Sequence, residues 1–170
     1  MSAAAALWTP TYIAIGSNLD DPIAQVQAAF AQLAKLPQSL LVARSRLYRT
    51  APLGPQDQPD FINAAAGLLT QLDPQELLRA LKRIEAQMGR ERIERWGPRR
   101  IDLDLIMYGA ARIQQDDLTV PHPGAASRNF VLYPLCDFAP SVLLPGHGRL
   151  SALAARVGSS GLAPVQQSPE

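Results

Sequence analysis

Apolar residues change their spacing repeatedly along this chain, from every second position to helical spacing and back, and each change marks an element. Tyr12-Ile13-Ala14-Ile15 is a short apolar run that ends in Gly16-Ser17-Asn18, a buried strand running into a turn. Asp20 or Asp21 then supplies a helix cap, with Pro22 at the first helical position. Ile23, Val26, Ala29, Phe30 and Leu33 follow helical spacing to about Leu36, where Pro37 stops the helix. From Leu40 to Thr50 the pattern is that of one strand, with Leu41, Ala43, Ser45 and Leu47 on one face and Val42, Arg44, Arg46 and Tyr48 on the other. Pro52, Gly54, Pro55 and Pro59 make Ala51 to Asp60 a loop. Phe61 to Leu72 reads as a second long strand. Asp73-Pro74 opens a helix whose stripe is Leu77, Leu78, Leu81, Ile84 and Met88, closed by Gly89.

An arginine-rich loop, the strand after Pro98 that carries Asp102 and Asp104, and a small strand near Arg112 to Gln114 follow. Helices are predicted from Ser127 to about Asp137 and from Ser151 to Val157. Residues 1–157 read as a single domain, and the Gly, Ser, Pro and Gln content of 158–170 predicts a disordered tail. Strands and helices mix without strict alternation, and Leu40–Thr50 and Phe61–Leu72 are joined only by a loop. That predicts an α+β fold, an antiparallel or mixed sheet with helices packed on it. Glycine fingerprints of nucleotide folds are missing: Gly146 and Gly148 form a lone, late pair, and His147 between them reads as a surface turn residue.

The strand after Ile101 carries the chemistry. Asp102 and Asp104, two apart, share one face, while Ile101, Leu103 and Leu105 take the other. Adjacent carboxylates repel, and partial burial raises the cost. A hard cation such as Mg²⁺ removes that cost. Upstream lie Arg90, Arg92, Arg95, Arg99 and Arg100, suited to bidentate grip on phosphate. Acids for a metal beside arginines for phosphate suggest a nucleotide site. The bland readings are a solvated acidic pair and surface ion pairs of those arginines with Glu91 and Glu94.

Composition narrows the classes. A chain of 170 residues, 47% hydrophobic, fits one folded domain with a sizeable core. A net charge of +1 argues against a general nucleic-acid binder. The lone cysteine, Cys136, sits in an apolar stretch and reads as an inert thiol. No basic segment opens the chain as in a signal peptide, and no apolar run is long enough for a bilayer, so the expected location is the cytoplasm. No Ser-His-Asp or Cys-His pattern suggests a side-chain nucleophile.

Four blocks taken together resemble one family: YIAIGSN (Tyr12–Asn18), YRTAPLGPQDQPDFIN (Tyr48–Asn63), RWGPRRIDLD (Arg95–Asp104), and LTVPHP (Leu118–Pro123) with Arg128-Asn129-Phe130. In this order and spacing, over roughly Tyr12 to Pro140, the chain is similar to the hydroxymethyldihydropterin pyrophosphokinases of folate synthesis. The resemblance implies a ferredoxin-like fold and transfer of pyrophosphate from ATP to the hydroxymethyl group of a reduced pterin, with release of AMP. It implies two Mg²⁺ ions held by Asp102 and Asp104, and catalytic roles for Arg90, Arg92, Asp102 and Asp104. ATP contacts are implied for Glu85, Arg90, Arg92, Trp96, Arg99, Leu105, Thr119, His122 and Arg128. Pterin contacts are implied for Thr50, Ala51, Leu53, Phe61, Asn63 and Phe130; by chemistry alone both phenylalanines read as core. Ala51 stands where the family usually has Pro, Phe61 replaces the more usual Tyr, and the arginine loop is one residue shorter than in some relatives.

The expected partners are therefore small molecules, with no nucleic acid or membrane, and the chain is expected to act as a monomer. Two competing readings are a different Mg²⁺-dependent nucleotidyl or phosphoryl transferase and an RNA-binding module of similar fold. The first would not need Phe61, Asn63 and Phe130 in one pocket. The second calls for a basic stripe with exposed aromatics, which the charge balance and the acidic pair disfavour.

Overall fold

Thr9–Ser17 (β1), nine residues of alternating burial, runs through the middle of the main sheet. The structure is a computed structural model that describes residues 7–52, 57–89 and 101–166. Asp21 accepts from the Ala24 N–H and Pro22 takes the first turn, so α1 (Pro22–Leu33) starts where the cap and proline predict. Then come β2 (Ser39–Arg44), β3 (Tyr48–Thr50) and β4 (Phe61–Thr70). Helix α2 (Pro74–Gln87) begins with a reciprocal capping box between Asp73 and Glu76. Gly89, with φ of 76°, lies in the left-handed region just past its end.

β5 (Asp102–Tyr108) completes the second half of the sheet. The short pair β6 (Ile113–Gln114) and β7 (Thr119–Val120), a 3₁₀ turn at Ala125–Ser127 and α3 (Asn129–Cys136) follow. A small hairpin of β8 (Leu143–Leu144) and β9 (Gly148–Arg149) puts the exposed His147 in its turn, as expected. The described chain closes with α4 (Leu150–Val157) and β10 (Leu162–Pro164).

The strands lie in the order β10-β3-β4-β1-β5, with β2 also on β4, and every described pairing is antiparallel. Two β-α-β halves interleaved this way form the ferredoxin-like arrangement. One sheet face packs Ile13, Ile15, Ala64, Leu68, Leu103 and Leu105 against α1 and α2. The other packs Ala65, Ile106 and Met107 against α3 and α4. Leu33, Leu77 and Leu81 are fully buried, each contributing about 1.5–3 kcal/mol. No helix among the described residues is long and apolar enough to cross a membrane.

The structure differs from two expectations. Leu40–Thr50 is two strands rather than one. Ser45 breaks it by bonding Ala65 through both its backbone and its hydroxyl, which accepts from the Ala65 N–H at 2.7 Å. Past this break the alternation changes phase, and Leu47 and Tyr48 are both buried. The stretch after Gly158 is not devoid of order either. Leu162–Pro164 pairs with β3, whose outer edge offers backbone partners that composition does not reveal.

Candidate active site

The period-two alternation of β5 decides the polarity of the site. Leu103 and Leu105 point into the core under α1 and α2, so Asp102 and Asp104 emerge on the opposite face. There they lie beside Gly16 and Ala14, their partners on β1. Between Tyr12 and Ile13 the register slips by one, leaving Ile106 as an extra residue on β5 that also faces α3. On the other side of β1, Gly16 pairs with Asn63 of β4.

Helices α3 and α4 cover only part of this face. The uncovered end forms an open cleft of about 730 Å³, including the solvent at its mouth. Its acidic wall is Asp102 and Asp104; opposite are Thr50, Ala51, Phe61 and Asn63; Arg128 and Phe130, at the start of α3, and His122 close it. Asn63 Nδ2 donates to Thr50 Oγ1 at 2.8 Å, which fixes the amide and leaves its oxygen above Gly16. The Arg128 guanidinium lies 6.0 Å from the Phe130 ring centre and folds over Gly124, where any Cβ would collide with it. Asn18, at the end of the β1 turn, donates at 2.9 Å to both Gln58 Oε1 and the Pro59 carbonyl, anchoring the end of the proline-rich loop.

His122 is held on β5 by its backbone N–H, which donates to the Ile106 carbonyl at 3.0 Å. Its Nδ1 accepts from the Gly124 N–H at 3.1 Å. Burial, and then the Arg128 charge, lower its pKa against the opposing pull of Asp102. The ring is therefore neutral near pH 7, with its proton on Nε2, a donor without a charge. Cys136 lies outside the cleft, and its thiol is pushed up by burial and then by Asp137, so it is no thiolate nucleophile.

Thr50, Ala51, Phe61, Asn63, Asp102, Asp104, His122, Arg128 and Phe130 thus meet in one cleft although they come from distant blocks. Three other predicted ATP contacts do not line it. Glu85 is buried, its Oε2 accepting from the Leu103 N–H at 2.8 Å. Leu105 is in the core, and Thr119 is exposed on β7. Leu53, Arg90, Arg92, Trp96 and Arg99 lie outside the described residues. Gly16 was missed as a site residue: its turn motif was visible in the sequence, but its place on the cleft floor depends on pairing with Asn63.

Paired acids on an open sheet face, beside a slot that Phe61 and Phe130 line, are what a small-molecule transferase that handles phosphate groups calls for. The family model for 7,8-dihydro-6-hydroxymethylpterin-pyrophosphokinase (HPPK) matches residues 12–140, and the chain belongs to that family. The 2-amino-4-hydroxy-6-hydroxymethyldihydropteridine pyrophosphokinase of Pseudomonas aeruginosa is 47% identical over 151 residues, 89% of this chain and 93% of the relative. That of Haemophilus influenzae is 47% identical over 134 residues, 79% of this chain and 84% of the relative. Among solved structures, wild-type Plasmodium falciparum HPPK-DHPS with pteroate superposes with a TM-score of 0.72 at 13% identity, over 91% of this chain and 43% of the other. At that identity the likeness bears on the fold alone. The chain is accordingly an enzyme, an ATP-dependent diphosphotransferase of folate biosynthesis.

Proposed function

We propose that this cleft aligns ATP with 6-hydroxymethyl-7,8-dihydropterin so that the hydroxymethyl oxygen attacks the β-phosphorus. The bond from that phosphorus to the α,β-bridging oxygen breaks, AMP leaves with the oxygen, and the hydroxyl proton passes to solvent. The observation that carries this reading is the meeting of Asp102 and Asp104 with Phe61, Asn63 and Phe130 in one cleft. Phe61 and Phe130 hold the flat ring between them, and Asn63 reads its edge by accepting and donating at once. Thr50 and Ala51, with Leu53, complete the pterin side.

The donor set of the acidic wall suits Mg²⁺. Both side chains offer only oxygen, and among the described residues no group of three His, Cys, Asp or Glu side chains is placed to hold a metal. A cation here needs phosphate oxygens to complete its shell, the usual way Mg²⁺ sits beside a triphosphate. Bound with ATP as two ions, Mg²⁺ would neutralise charge as it develops between attacking and leaving oxygens. His122 donates Nε2–H to a phosphate oxygen, and Arg128 adds positive charge. Arg90, Arg92, Trp96 and Arg99 contribute nucleotide contacts, with Arg90 and Arg92 acting on the transferred group. Glu85 supports the acidic wall from behind through Leu103, and Leu105 and Thr119, which do not line the cleft, would reach the nucleotide only through backbone atoms. Alignment and charge neutralisation supply most of the rate in such transfers.

All the residues assigned here come from a single copy of the chain's own blocks, so the reading needs no second subunit, and a lone thiol suits a cytoplasmic location. The test is incubation with ATP, Mg²⁺ and the reduced pterin, with AMP as readout. AMP release that does not depend on the pterin would overturn the reading.

A further inference from the structure

The segment after α4 is rich in glycine for a geometric reason. Gly158 and Gly161 have φ of 81° and 77°, which lets the chain double back from α4 toward the sheet. Where it crosses the start of α3, Asn129 Nδ2 donates to the Gly158 carbonyl at 3.1 Å and the Ser160 carbonyl at 2.9 Å. The chain then enters β10, where Leu162, Ala163 and Pro164 stand opposite Thr50, Arg49 and Tyr48. The Val165 N–H donates to the Leu47 carbonyl at 2.8 Å, and its side chain packs on the main core. Pro164 costs nothing here because β10 is the outermost strand of the sheet.

This path touches both walls of the ring slot. β3 has three residues, and without β10 it would be the sheet's edge, held only by β4. Thr50 is paired on one side with Phe61 and on the other with Leu162, and its hydroxyl fixes Asn63. The opposite wall starts at α3, and the tethering Asn129 lies between Arg128 and Phe130, both of which line the cleft. The acidic wall on β5 is at the far edge of the sheet, three strands from β3.

We infer that Gly158–Val165 is a strap that sets the width of the ring slot, and that Asn129 is a positioning residue for the pterin through it. The inference rests on the slot being the pterin site. Without the tether, Thr50 and Asn63 on one side and Phe130 on the other are free to drift apart, while Asp102 and Asp104 on β5 keep their place.

The experiment uses the full chain, an Asn129→Leu variant that keeps side-chain size but loses both donors, and a chain ending at Val157. Affinity for a non-hydrolysable ATP analogue with Mg²⁺ is measured first, then affinity for the pterin in its presence, then the KM of each substrate. The expected result in both variants is pterin affinity weakened by about tenfold or more, with a matching rise in pterin KM, while nucleotide affinity falls by no more than about threefold, because Arg128 alone of its proposed contacts adjoins the tether. Unchanged pterin affinity in either variant overturns the strap. Equal loss of both ligands in both variants also overturns it, because the segment then supports only the fold. Failure of the unaltered chain to bind pterin would instead sink the functional reading.

Discussion

Gly16 of β1 stands directly opposite Asn63 of β4, and a Cβ on Gly16 would lie 3.3 Å from Asn63 Oδ1 and 3.8 Å from the Phe61 ring. The missing side chain is what leaves the floor of the cleft open below the amide. Gly16→Ala should therefore weaken pterin binding by about tenfold, by pressing on the Asn63 amide proposed to read the ring edge. Its melting temperature should hardly change, since a strand accepts alanine. Titration of pterin fluorescence alongside a thermal melt separates the two effects.

Asp104 and Asp102 are held on the cleft face by the burial of Leu103 and Leu105 behind them. Asp104→Ala should leave the fold in place and lower pterin-dependent AMP release by roughly 10²–10³-fold or more, since preorganised charge is lost where the phosphates react. Retained turnover at saturating Mg²⁺ would argue against the assigned role.

The lowered pKa of His122 links the cleft to pH. Its neutral form is favoured in the folded protein, by burial first and by Arg128 second. Above the ordinary histidine value of about 6.5 its contribution to stability is complete. As pH falls below that value the unfolded chain takes up the proton first, so stability declines until the lower folded-state pKa is passed. His122→Asn should show a smaller drop in melting temperature between about pH 7.5 and about pH 5 than the unaltered chain. In an NMR titration the His122 ring protons should have a midpoint below the ordinary value.

Tyr48 joins β3 to the far end of α3. Its hydroxyl donates to Asp137 Oδ1 at 2.7 Å and accepts from Arg46 Nη2 at 2.9 Å, while Arg46 pairs with the same carboxylate at 3.1 Å. Burial, then the hydrogen bond to Asp137 and its charge, push the phenol up to about 12. Its stabilising contribution is thus complete below the usual tyrosine range and is lost as pH rises through that value. Tyr48→Phe should cost about 1–3 kcal/mol in denaturant unfolding at neutral pH. It should also remove the last-titrating phenolate from the ultraviolet absorbance curve.

Much of the fold was legible because local chemistry and packing agree. Asp21-Pro22 and Asp73-Pro74 start helices as caps should, and the alternation around Asp102 places the acids correctly. What stayed hidden depends on partners far away in the chain. Ser45 breaks a strand by bonding Ala65, and nothing in its neighbours announces that. Leu162–Pro164 becomes a strand because β3 has an open edge, although its composition suggests a loose tail. Phe61 and Phe130, apolar and aromatic, read as core until the uncovered end of the sheet shows them half-buried in a cleft. Glu85, named only through the resemblance, also carries a physical signal, since a charge beside Leu81 and Ile84 on a buried stripe calls for a buried partner such as the Leu103 amide.

The extra residue on β5 at Ile106 sets a limit on how this strand can vary. Between that irregularity and Gly16 the acids keep step with β1 residue by residue. One amino acid gained or lost in that interval would turn both carboxylates beneath the first two helices and thrust Leu103 and Leu105 toward solvent. Homologous strands can therefore diverge by exchanging side chains, whereas a change of length there would strip the cleft of its acids and the interior of its leucines in a single event.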